Sequence, residues 1–135
     1  MTQMTVDTLV RRFEDVMNAR DADAVAALFT PDFVDHAPWP GQSGDVAGFR
    51  AGLADMVAAF PDLRVDVHRV VANGDMLAWH FAISGSHLGP FMGAEPTGRS
   101  FRVEAMDMLR LENGRIAEHW GLMDSASMAE QLSLA

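Results

Sequence analysis

The sequence predicts an α+β fold, with helices gathered on one face of a curved antiparallel sheet that wraps around them to form a cone-shaped pocket. Three observations lead there. Apolar residues recur at helical steps up to Phe60; the period changes to alternation after Pro61; and Asn73-Gly74-Asp75 and Asn113-Gly114 cut the alternating half into strands. A curved sheet closed by helices encloses a cavity, the default place for a ligand.

Val6, Leu9, Val10, Phe13, Val16 and Met17 step by three and four, with Arg11, Arg12, Glu14 and Asp15 between them, giving a first helix of about three turns. A second, shorter helix is expected from about Asp23 to Phe29, packing Val25, Leu28 and Phe29 and ended by Thr30-Pro31. Phe33 to His36 reads as a short extended piece. Ala37-Pro38-Trp39-Pro40-Gly41 is a shaped loop, because prolines exclude a central strand. Val46, Phe49, Leu53, Met56, Val57 and Phe60 restore the helical period from about Asp45 to Ala59, making three helices before the sheet. Leu63, Val65 and Val67 then alternate with Arg64, Asp66 and His68, and Leu77, Trp79, Phe81 and Ile83 with Ala78, His80, Ala82 and Ser84. Gly85 to Asp124 supply two long antiparallel strands, and Ser127 to Glu130 a capping box for a last short helix that buries Met128 and Leu132.

Length and composition narrow the classes. The 135 residues make one domain, residues 1–135, long enough to bury roughly two-thirds of its unfolded surface. The absence of cysteine excludes disulfides and thiolate metal sites. Met1-Thr2-Gln3-Met4 has no basic segment followed by an apolar run, so no signal peptide is expected. With no membrane span in view either, the expected location is cytoplasmic. A formal charge of −9 with scattered arginines argues against nucleic acid as a partner.

The turn before the last strand admits two hairpins. A two-residue type I′ loop at Asn113-Gly114 pairs Glu112 with Arg115 and sets Asp107 opposite Trp120. A three-residue loop with a bulge at Gly114 pairs Leu111 with Arg115 and sets Asp107 opposite His119, Leu109 opposite Ala117 and Met106 opposite Trp120. Asn-Gly favours the first locally. The second sorts the faces better, with Phe101, Val103, Ala105, Asp107 and Leu109 on one side, and it is the register expected.

Asp107 is then a carboxylate on an apolar face beside an imidazole, a pair able to exchange protons with a substrate near neutral pH. The competing reading is an Asp–His hydrogen bond that only fixes the sheet. His36 and Trp39 of the loop, Phe49 and Leu53 of the third helix, and His87, Phe91 and Phe101 are the candidate substrate-binding residues. For His87 and His36, bracing of their own loops is the stronger alternative. His68 and His80 are expected in solvated or core positions. The five histidines sit on separate elements without paired ligand spacing, so no metal is expected. Met106 and Met108, beside Ile116 and Trp120, form an outward apolar patch that suggests a homodimer; the last helix covering it is the alternative.

Gly85-Ser86-His87-Leu88-Gly89, Phe91-Met92-Gly93, Pro96-Thr97-Gly98-Arg99, Asn113-Gly114-Arg115-Ile116 and Glu118-His119-Trp120, with Asp35-His36, Gly44, Phe60-Pro61-Asp62, Asp124 and Gln131-Leu132, resemble the SnoaL-like polyketide cyclase family along nearly the whole chain. The resemblance implies a nuclear-transport-factor-like α+β cone (a cystatin-like α+β barrel), a pocket with no metal or cofactor, and an oligomer. It also implies an intramolecular aldol ring closure, with an aspartate as general acid–base and a histidine on the neighbouring strand. This sequence departs at both positions: the aspartate's falls on Gly121 and the histidine's on Asp107. The expected activity is therefore cofactor-independent acid–base catalysis on a small, largely apolar carbonyl compound, by cyclisation or isomerisation, with Asp107 and His119 catalytic. The alternatives are a non-catalytic binding or accessory dimer, or a hydrolase or hydroxylation-associated member.

Overall fold

The first apolar stripe folds as helix α1 (Gln3–Ala19), which buries Val6, Leu9, Val10, Phe13 and Met17. The computed structural model describes residues 3–134; Met1 and Thr2, on which the leader expectation partly rests, lie outside them. Helix α2 (Ala22–Ala26) starts at Asp21, whose carboxylate accepts from the Asp23 and Ala24 amides, the usual way an N-cap satisfies orphan donors. It ends earlier than expected. Phe29 instead opens strand β1 (Phe29–Asp35), which includes Pro31. A proline is tolerated there because β1 lies at a sheet edge.

Helix α3 (Val46–Ala59) is capped by Asp45 and buries Phe49, Leu53 and Met56. Four strands follow: β2 (Arg64–Asn73), β3 (Met76–Ser86), β4 (Ser100–Glu112) and β5 (Arg115–Met123). The sheet order is β1-β5-β4-β3-β2. The class is the expected α+β, with two refinements. The curved sheet stays unclosed, and β1 runs parallel to β5, so that only two helices precede the first strand. No described helix is long and apolar enough to cross a membrane.

Strand β2 is the other edge, and α1 protects it. Asn18 donates to the Val65 carbonyl at 2.9 Å and accepts from the Val65 amide at 2.7 Å, while Glu14 accepts from the Val67 amide at 2.6 Å. Helix side chains thus take the place of a neighbouring strand, which blunts edge pairing.

The β4–β5 hairpin corrects the expected register. Glu112 faces Arg115 across the two-residue loop, with Asn113 and Gly114 both at positive φ (51° and 78°), as a type I′ turn requires. A bulge then falls between Arg110 and Leu111: Leu111 faces Ile116 and Arg110 faces Glu118, so Ala117 is the extra residue. Its cause is burial. Ile116 and Ala117 are successive residues and both are buried, which a regular alternation forbids. Asp107 therefore faces Gly121, Leu109 faces His119, Met108 faces Trp120 and Met106 faces Leu122. The turn and the bulge together return His119 to the face of Asp107, one step diagonal rather than opposite.

The last helix, α4 (Ser125–Gln131), is capped by Asp124 and not by a capping box at Ser127; Met128 and Leu132 are buried as expected. Gln131 bonds both the amide and the carbonyl of Arg102, covering β4 beyond the end of β5. It leaves Met106 and Met108 exposed, with Leu122 beside them; Ile116, expected there, is in the core.

Candidate active site

Between the inner face of the sheet, the helices and the 37–40 loop lies a cavity of about 270 Å³. That is just under the usual span of ligand sites, ~300–1,000 Å³. Its walls are mainly apolar, including Phe13, Phe29, Trp39, Phe49, Trp79 and Leu109, and among the described lining residues only Asp35, Asp107 and His119 ionise.

Those three meet in one row across the sheet. Asp35 on β1 is the register partner of His119 on β5, and its Oδ1 lies 2.7 Å from His119 Nδ1. His119 Nε2 is 3.1 Å from Asp107 Oδ1 on β4. The row ends on β3, where Trp79, directly opposite Asp107, donates its indole N–H to Asp107 Oδ2 at 2.9 Å. Asp35 is fixed further by the Ala37 amide, which donates to the same Oδ1 at 2.9 Å.

Burial by itself would lower the His119 pKa, but the hydrogen bonds and charges of Asp107 and Asp35 outweigh it and hold the pKa at about 9. Near neutral pH the ring is an imidazolium giving one N–H to each carboxylate. The Asp35 side chain is 1% exposed, that of His119 14% and that of Asp107 15%, so of the two carboxylates Asp107 is the one open to the cavity.

Gly121 makes the arrangement possible. A Cβ on that residue would collide with Asp107 Oδ1 and lie 2.8 Å from His119 Nε2. The space a side chain would fill is occupied by the Asp107 carboxylate.

Of the residues singled out in the sequence, Asp107, His119, Trp39 and Phe49 line the cavity. The remainder lie elsewhere. His36 is on the outer side, stacked on Trp120 at 4.9 Å and bonded to Glu118 at 2.7 Å, because it lies one residue beyond the inward Asp35. Leu53 and Phe101 are core residues. Phe91 borders a separate pocket with Met56 and Met92. His87 is completely buried against Phe60; its Nδ1 takes the Thr97 amide and lies 3.1 Å from the Thr97 hydroxyl, bracing its own loop. Asp35 and Trp79 were not anticipated as site residues. Alternation with Phe33 pointed Asp35 inward, and the same face of β3 that carries Leu77 carried Trp79, but the strand registers that align them were not readable.

A family model described as SnoaL-like polyketide cyclase matches residues 7–132. The aklanonic acid methyl ester cyclase DnrD of Streptomyces peucetius is 26% identical over 130 residues, covering 92% of this chain and 88% of that protein. The solved structure of TsrD from Streptomyces laurentii superposes with a TM-score of 0.90 at 25% identity, covering 100% of this chain and 99% of that one. IdmH from Streptomyces antibioticus superposes with a TM-score of 0.81 at 32% identity, covering 94% and 97%.

Proposed function

The chain belongs to the SnoaL-like polyketide cyclase family, and from that premise we propose that it is a cyclase-type enzyme that works by proton transfer at Asp107. One observation carries the reading: a carboxylate paired with an imidazolium at the end of an otherwise apolar cavity. The substrate is a small, largely apolar carbonyl compound. In an aldol closure Asp107 takes a proton from the carbon next to a carbonyl, and the resulting enolate carbon bonds to a second carbonyl carbon in the same molecule. The oxygen of that second carbonyl receives the electron pair and then the proton from Asp107. Once Asp107 is protonated it is a weaker acceptor for the His119 N–H, which is then free to donate to the enolate oxygen. Isomerisation uses the first half of the sequence and returns the proton to another carbon. Neither route calls on a cofactor.

On this reading the carboxylate has moved from one strand to its neighbour. Gly121 stands at the position that the family resemblance gives to an aspartate, and the Asp107 carboxylate fills the space in front of it. The test offers aklanonic acid methyl ester and smaller aromatic diketones to the protein and to Asp107→Asn. The variant is expected to bind as before and turn over ~10²–10⁴-fold more slowly; unchanged turnover removes Asp107 from the mechanism.

A second reading is binding without chemistry, supported by the resting hydrogen bonds: both ring nitrogens of His119 and both oxygens of Asp107 already have partners. Saturable binding with no product across the same panel would favour it. In either case we propose that Met106, Met108 and Trp120, joined by Leu122, pack against a second copy of the chain. Sedimentation of Met108→Glu as a smaller species than the parent protein is the expected result.

A further inference from the structure

We propose that His68, His80 and Glu104, on the outer face of the sheet, form a binding site for a divalent transition-metal ion of the zinc type. No spacing in the sequence suggests it, because each ligand comes from a different strand. Strand register brings them together. Ala82 pairs with Glu104, and His80 stands two residues before Ala82 on the same face. On β2, Val67 faces Phe81 and Arg69 faces His80, so His68 is the extra residue of a bulge, a feature that re-aims side chains. The small, fully buried Ala82 leaves room above it for the Glu104 carboxylate to reach both rings.

The geometry is close to that of a bound ion. Glu104 Oε2 lies 3.2 Å from His68 Nε2 and 3.0 Å from His80 Nε2, the two rings are 5.0 Å apart at 72°, and the three ligand atoms all lie within 4.8 Å of one another. Tetrahedral zinc with bonds of ~2.0–2.2 Å separates its ligand atoms by ~3.3–3.5 Å. Two of the three separations are thus already near the required value. Two imidazoles and one carboxylate suit zinc, nickel or copper, whereas calcium and magnesium prefer oxygen donors. Arg64 and Arg102 are both paired with Asp66. The three side chains are 30%, 25% and 59% exposed, which leaves a fourth position to water.

The ion would sit on the side of the sheet away from the cavity, tying β2, β3 and β4 together. The inference is therefore independent of the proton-transfer reading.

The test titrates the full chain with zinc alone, followed by calorimetry and by the histidine ring resonances. The expected result is one equivalent bound, with the His68 and His80 signals moving and those of His36, His87 and His119 staying in place. Binding should weaken at least ~tenfold in His68→Ala/His80→Ala, and the zinc-dependent rise in Tm should vanish. Absence of binding, equal binding by the double variant, or movement of the other histidines instead would overturn the proposal. Should the double variant fail to fold, Glu104→Gln and the ring signals of the unaltered protein decide in the same way.

Discussion

Replacing Gly121 by alanine asks whether one missing side chain holds the site open. The added methyl would collide with Asp107 Oδ1 and lie 2.8 Å from His119 Nε2. Gly121 is not among the positive-φ glycines, so alanine introduces no backbone strain there and the effect must come from the collision. The carboxylate has to leave His119, while the Asp35 contact at 2.7 Å remains. A hydrogen bond to a charged group contributes about 1.5–3 kcal/mol. At 1.4 kcal/mol per pKa unit, losing it should bring His119 down from about 9 by about one to two units. Stability at pH 6 should fall by a similar ~1.5–3 kcal/mol. The ring signals of His119 across a pH series report the first effect and urea denaturation the second. A variant in which His119 titrates as before, with stability within ~0.5 kcal/mol of the parent, would refute the view that Gly121 makes room for the pair.

Other perturbations probe the surrounding structure. His119 has a folded pKa of about 9 against an ordinary 6.5, so its contribution to stability is fully present below pH 6.5 and is lost as pH rises through 9. Denaturation at pH 6 and pH 10 should differ by about 3 kcal/mol from this group, and His119→Gln should remove most of the difference. Gly114→Ala puts a Cβ at φ 78° and should cost about 1–2 kcal/mol by denaturant melt while leaving the His119 titration unchanged, because the bulge at Ala117 sets the face of His119. Asn18→Ala removes two bonds to Val65 at the sheet edge and should destabilise by about 1–2 kcal/mol; protease cleavage within β2 should rise with it.

Much of this architecture was legible because it rests on periodicity. The buried faces of α1 and α3 and the alternation in β3 and β4 follow from apolar spacing alone. The early end of α2 was missed because Leu28 and Phe29 continue its apolar pattern, while only pairing with β5 draws Phe29 into a strand. The hairpin was harder. Asn113-Gly114 formed the turn its local chemistry favours, and the burial pattern that argued for the other register was met by a separate bulge. Two shifts of one residue compensate, which explains why the face of His119 was readable and its partner was not. Asp35, Trp79 and the His68–His80–Glu104 cluster depend on registers between strands distant in sequence, and no local spacing encodes those.

The central claim is that Asp107 moves a proton to and from carbon. Exchange of solvent deuterium into the carbon beside the carbonyl of a bound ketone measures that step without requiring ring closure. The account predicts exchange catalysed by the protein and slowed ~10²–10⁴-fold in Asp107→Asn with the ligand still bound. Equal exchange rates in the two proteins would contradict it.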